Sequence, residues 1–278
     1  MISTERQYYY LISGLPEIHF GTVPAYVRTK ELIAEIKESI SLDDASFVNT
    51  IYFPNDNFNL INFCQKTNKP WKFPCNYSSE DFKKAFNESD DILPEYMTEF
   101  YNQFVNGNFQ SGDILPENIL TALFYEYVFT QYTGFLSAWF EFDRDFRNIL
   151  TALSAGYQQI SPDNHLIGDN EVVRMIKNSR AFDFGLSYEF PYINQMIRLH
   201  EQHDYTELEK LTDQVRWNKT DDLTAFSYFS LDSILGYLIK LEISSRWSAL
   251  NAEEGTLLLD KKIDQLRQNI RFTDEYVL

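Results

Sequence analysis

Glycine is scarce in this chain. Ten glycines in 278 residues leave little material for backbone phosphate cradles. Neither G-x-x-x-x-G-K-[ST] nor G-x-G-x-x-G occurs, so no nucleotide-binding loop is expected. A G-x-S-x-G nucleophile elbow is missing too. The two cysteines, Cys64 and Cys75, supply no disulfide framework and match no zinc spacing. They read as reduced, partly buried thiols of a cytoplasmic protein. No window approaches the roughly 18 apolar residues a membrane span requires. The opening MISTERQYYYLISG lacks the basic region and apolar core of a signal peptide. Bases are outnumbered 24 to 41 by acids, for a net charge of −17. Such a surface repels phosphate backbones and anionic lipid, which excludes nucleic acid as an expected partner. A basic protein surface as partner, or simple solubility, fits such a charge better.

Aromatic rings and helix signals are abundant. Phenylalanine (23) and tyrosine (18) are frequent, and aromatics make up 16% of the chain. Many of these rings must lie in a core. Thr29 precedes Leu32, Ile33, Ile36 and Ile40, which share one helix face. Ser41 and Asp44 form a near capping box for the next helix. Pro54–Asn57 reads as a turn cluster, followed by a short helix over 58–65. Residues 66–79, with two prolines, form the clearest loop.

A strong helical stripe runs from Pro94 to Asn106 and ends at Gly107. Pro116 suits a first helical position, and the pattern after it continues to about Tyr157, with Gly134 as a kink or break. A second loop covers 158–168. Helices are expected at 170–179, 191–203, 205–217 (capped by Asp204 with Glu207), 231–249 and 251–271. Only Tyr8–Ile12 and Ser187–Phe190 look faintly extended, and both are also compatible with helix. The fold class is all-α.

Two stretches look like copies of one helix: GFLSAWFEFDRDFRNILT at 134–151 and SILGYLIKLEISSRWSAL at 233–250. In each, an apolar run ends in an acid four residues before an arginine, Asp143 with Arg147 and Glu242 with Arg246. That spacing places both charges on one helix face, acid first. These four residues are therefore the candidate structural ion pairs. Two readings stand. An exposed i,i+4 bridge contributes about 0.3–0.5 kcal/mol. A buried pair, by contrast, costs roughly 3–5 kcal/mol when one partner is removed. Neither is catalytic.

Other chemistry is thinly supported. His200 and His203 lie three apart beside Glu201 and Asp204, but they lack the i,i+4 spacing and intervening glutamate of a zinc protease. A polar helix end is the simpler reading. His165 reads as a turn residue, and His19 belongs to no pattern. A carboxylate-bridged metal enzyme in a bundle needs Glu-x-x-His, which does not occur. No catalytic residue, cofactor or metal is expected. A helical scaffold or adaptor is the alternative, although the repeat separation of about 99 residues is far from the 34–47 of common solenoids.

The segment from Phe229 to Arg246, with Tyr237-Leu238, Glu242 and Arg246, resembles the last repeat of the V-type/archaeal ATPase C-subunit family, whose eukaryotic members are the d-subunits. Trp139–Leu150, with Asp143, is similar to the middle repeat, and Glu31–Phe53 to the first. The Tyr8–Phe20 opening resembles an uncharacterised bacterial family associated with V-type ATPase subunits. The chain is shorter than the usual member of the C-subunit family by about one helix pair. The resemblance implies three related helical bundles, here 1–107, 108–160 and 161–278, arranged as a funnel. It implies a non-catalytic central-stalk component that couples the shaft of the catalytic head to the membrane rotor ring. Such a component lies in the cytoplasm at the inner membrane face, spans no bilayer and transmits torque by rigid contact.

Overall fold

The computed structural model describes residues 6–24, 27–88, 90–107 and 115–249, and everything below concerns those residues. They form eleven α-helices and a single 3₁₀ turn, with one isolated bridge between His19 and Thr22 and no strand among them. The all-α expectation holds. The expected helix over 251–271 lies outside the described residues.

The first helices follow their local signals. α1 is Tyr9–Gly14, so the faintly extended opening is helical. α2, Thr29–Ser39, buries Ile33 and Ile36, with Ile40 buried just after it. α3, Leu42–Gln65, starts where the Ser41 hydroxyl accepts from the Asp44 backbone N–H. It stops at Lys66, which adopts the left-handed conformation at φ 52°. α4 is Ser79–Asn87, opened by a complete capping box between Ser78 and Asp81. Local patterning of the whole chain passed over this helix, although Ser78-x-x-Asp81 marks its start. α5, Glu95–Val105, is closed by Gly107 at φ 74°.

The expected turn at Pro54–Asn57 does not exist, because α3 runs through Pro54 unbroken. Proline there removes one backbone donor. The polar residues around it do not point to water. Asn55, Asp56, Asn57, Asn59 and Asn62 are all buried, and each has a side-chain partner elsewhere in the fold. Tertiary hydrogen bonds outweigh the turn-forming tendency of this composition.

The second half begins with α6, Pro116–Gln131, which has proline at its first position. α7, Phe135–Gln158, follows after three residues, and Gly134 at φ 69° makes the break between them. α8 is Glu171–Asn178, α9 Ile193–Glu201, α10 Tyr205–Thr224 and α11 Leu231–Ala249. The faintly extended 187–190 stretch is a run of turns.

Two apolar cores result. The larger takes residues from α2–α6, the first turns of α7 and α11, and is rich in rings. Phe124 meets Phe140 edge-on at 4.9 Å and Tyr96 at 5.8 Å. The smaller joins the later turns of α7 to α8, α9 and α10, around Phe146, Ile149 and Met196. α7 serves both cores, and Phe142 packs against each.

Five helices close on themselves. α3 packs on α6, α6 on α7, α7 on α10, α10 on α11, and α11 back on α3. The α10–α11 contact is close at Gly236, where an added Cβ would lie 2.7 Å from Thr224 Cγ2 and 3.1 Å from Thr220 Cγ2. Alanine favours a helix over glycine by about 1 kcal/mol, but overpacking costs about 1–3 kcal/mol. Gly236→Ala is therefore expected to lower stability in urea denaturation by about 1 kcal/mol. Adding Thr224→Ala should restore it, whereas a stabilised single variant would contradict the close approach.

Candidate functional site

The helix ring surrounds a cavity of about 710 Å³, and all five helices contribute to its wall. One side is apolar, with Ile51, Leu120, Phe124, Trp139 and Ile239. Charged and neutral polar side chains are interspersed around the rest. Asp143 and Arg147 of α7 line it, as do Glu242 and Arg246 of α11. The four residues singled out by the repeated acid–arginine spacing thus share one cavity.

They do not pair as that spacing predicts. Asp143 accepts from the Tyr125 hydroxyl on α6 at 2.8 Å and from Arg216 Nη2 on α10 at 3.2 Å. Arg147 instead donates from Nη2 to Asn118 Oδ1 at 3.0 Å. Arg246 binds Asp213 and Glu209, both on α10. Glu242 accepts from Asn55 Nδ2 on α3 at 2.9 Å. The i,i+4 bridges are replaced by bonds between helices. Each inward helix face meets a neighbour whose bonding partner lies closer than its own residue four positions on.

Sequence patterning missed the hub of this network, Asp213. It is 4% exposed. Its carboxylate accepts from Arg246 and from Trp247 Nε1 at 2.7 Å, and lies 3.9 Å from Arg216 Nη1. Arg216 passes the connection on to Asp143, so a chain of charge runs through α7, α10 and α11. Glu209, Asp213 and Arg216 share one face of α10 at spacings of four and three. That signal was present but lay among many exposed charges.

Electrostatics distinguish the acids. Glu242 is half-buried on the cavity wall, and desolvation raises its carboxyl above the ordinary range. The Asn55 bond and the positive charges of Lys72, Arg216 and Arg246 pull against that rise without cancelling it. Burial also raises the Tyr125 hydroxyl far above its ordinary value, assisted by Asp143, so it stays a donor.

The rim of the cavity is built by the 66–78 loop, which carries Lys69 and Lys72. α3 holds that loop through its buried polar face. Asn59 bonds the Lys72 backbone in both directions, donating to its carbonyl at 3.0 Å and accepting from its N–H at 2.7 Å. Asp56 accepts from the backbone N–H groups of Asn76 and Tyr77 at 2.8 and 3.1 Å. Burial pushes the Asp56 carboxyl up to about 6, against the lowering effect of those bonds.

The remaining candidates form no site. His200 stacks on Tyr157 with centroids 3.4 Å apart, and His203 Nδ1 lies 3.2 Å from the Tyr205 hydroxyl, at the end of α9. His165 sits in the 3₁₀ turn with Nδ1 3.3 Å from Asn118 Nδ2, and His19 lies 3.7 Å from Glu17. Among the described residues no group of His, Cys, Asp or Glu could hold a metal ion, and no helix is long and apolar enough to cross a membrane. The free thiols of Cys64 and Cys75 are raised by burial, Cys64 to about 12.

Comparison with known proteins finds one family. Residues 6–270 match a family described as "Protein of unknown function (DUF2764)". No curated protein and no solved structure matches the chain.

Two measurements test the network and the polar face of α3. Asp213→Ala removes a buried carboxylate shared by Arg246, Trp247 and Arg216 and is expected to cost about 1–3 kcal/mol in urea denaturation, whereas Glu209→Ala, at an exposed bridge, should cost less than about 1 kcal/mol. Equal effects would remove Asp213 as the hub. For Asp56 the sign is fixed by its raised pKa. The unfolded carboxyl ionises first as pH rises from 3.8 towards 6, so wild-type stability is lost across that window and is fullest below it. Measured against Asp56→Asn, which does not titrate, wild type should lose roughly 2 kcal/mol between pH 4 and pH 7, at about 1.36 kcal/mol per unit. A pH-independent difference would refute the assignment.

Proposed function

The chain belongs to the DUF2764 family, and for this member we propose the role of a non-catalytic central-stalk component in a V-type rotary ATPase, coupling the catalytic-head shaft to the membrane rotor ring. The observation that carries this reading is the meeting of the two matching helices. α7 and α11 put Asp143, Arg147, Glu242 and Arg246 on the wall of one cavity, as copies of a unit placed around a common axis would. α3, from the segment likened to a first repeat, lines the same cavity.

Helix order supports the repeat. A helix leading into a long inner one, followed by two shorter helices, occurs as α2–α5 and again as α6–α9, and α10–α11 opens the same sequence a third time. By helix order the second and third units would begin near 116 and 205. On this reading three units, the third described through its first two helices, would surround the cavity as a funnel. Long helices with ring-rich packing resist deformation, which is what torque transfer by contact requires. The −17 charge suits docking to a basic shaft tip, where complementarity sets register and association rate. The acids of the cavity are held by arginines and by the amides of Asn55 and Gln65, an arrangement that serves registry rather than acid–base chemistry. The protein then acts at the cytoplasmic membrane face without crossing the bilayer.

A helical adaptor is the second reading, favoured by a cluster of exposed rings. Tyr10, Phe226 and Tyr228 are 97%, 92% and 71% exposed, next to Tyr9, whose ring lies 4.6 Å from Phe229. Native affinity purification from cross-linked membranes separates the two. Recovery of the rotor ring or the shaft proteins with the tagged chain is the expected result. Consistent recovery of other partners, with neither of these present, would favour the adaptor and end the stalk reading.

A further inference from the structure

Three acids of the cavity hold arginines, two accept only from side-chain amides, and several donors are left over. Asp143 and Asp213 hold arginines, Glu209 holds Arg246, Glu242 accepts from Asn55, and Glu117 accepts from Gln65 Nε2 at 3.3 Å. Arg147 has no carboxylate within ion-pair distance among the described residues. Its Nη2 is on Asn118, and its buried Nε has no partner. Asn62 also lines the cavity, is 3% exposed, and has a buried Nδ2 without a partner. At the rim, Lys69 and Lys72 form no ion pair among the described residues. Their ammonium groups lie over the Phe58 ring at 5.9 and 5.4 Å.

These groups gather at one end of the cavity. Phe58 and Asn62 are a turn apart on α3, and Gln65, three residues on, reaches Glu117 at the start of α6. The next residue, Asn118, is the one that holds Arg147. A buried donor left unpaired is costly, and a guanidinium more so. The protein keeps two such donors in a cavity of ligand size, beside apolar walls that include Phe58, Phe124 and Trp139.

We propose that this end of the cavity binds a phosphorylated small molecule, its phosphate oxygens accepting from Arg147, Asn62, Lys69 and Lys72 and its remainder resting on Phe58 and Trp139. Four donor groups approaching from α3, α7 and the rim loop suit a tetrahedral phosphate better than a planar carboxylate. Arginine supplies the fork and lysine the mobile point charge. The site recognises phosphate with side chains, so it needs no glycine-rich loop. It does not depend on the stalk reading, and a ligand there would bridge α3 to α7 across the ring.

Isothermal titration calorimetry of the full chain with pyrophosphate, ADP and citrate tests this. Pyrophosphate or ADP is expected to bind, citrate is not, and Lys69→Gln/Lys72→Gln should weaken binding roughly tenfold or more. Arg147→Gln should do the same. Because it also frees Asn118, the exposed lysine pair is the variant that leaves the fold intact. ADP binding tighter than pyrophosphate identifies a nucleotide, and equal binding identifies the phosphate group alone. Absence of binding by both phosphorylated probes, equal binding of citrate, or affinity unchanged in the lysine variant overturns the proposal. Partner recovery in the membrane purification is a separate readout, so failure of one leaves the other standing.

Discussion

Asp213 closes the helix ring. Its buried carboxylate takes Arg246 and Trp247 from α11, and Arg216 of its own helix carries the link to Asp143 on α7. Apolar ridges repeat along a helix, so packing alone leaves neighbouring helices able to settle one turn out of register. A charge in this position does not. Shift α11 by a turn and a buried carboxylate loses its donors, a change far larger than the small differences between alternative apolar packings. The network therefore fixes the mutual positions of three helices.

α3 contributes the other constraint. Its buried asparagines and Asp56 form a polar face in the middle of the larger core, and that face holds the 66–78 loop in place. Asn55 alone binds the Pro74 carbonyl and Glu242, joining the loop to α11. Apart from Asn62 Nδ2 this face is bonded, and such networks specify one arrangement because any other leaves several buried groups unpaired. The cavity and its rim share this origin. Without the polar face the loop carrying Lys69 and Lys72 would have no fixed position relative to Arg147.

Much of the helix plan was legible from local signals. Ser41, Pro116 and Asp204 start helices where their chemistry says they should, and Gly107 and Gly134 end or interrupt them. Continuity at Pro54 was not legible. The run Pro-Asn-Asp-Asn has turn composition, and only partners distant in the chain keep it helical. α4 was within reach, since its capping box is a local feature. The site was half visible. Two acid–arginine pairs drew attention to the residues that line the cavity, while the partners of Asp143 and Arg246 on α10 looked like ordinary surface charge.

What the amino-acid order determined by itself was helical class, helix phase and the shared faces of Asp143 with Arg147 and of Glu242 with Arg246. These depend on the 3.6-residue period and on capping groups a few positions away. Only the tertiary structure decided which charge meets which, that Pro54 lies within a helix, and that donor-bearing residues of α3 and α7 line one cavity. Those outcomes depend on distances between segments far apart in the chain, and the local period carries no information about them.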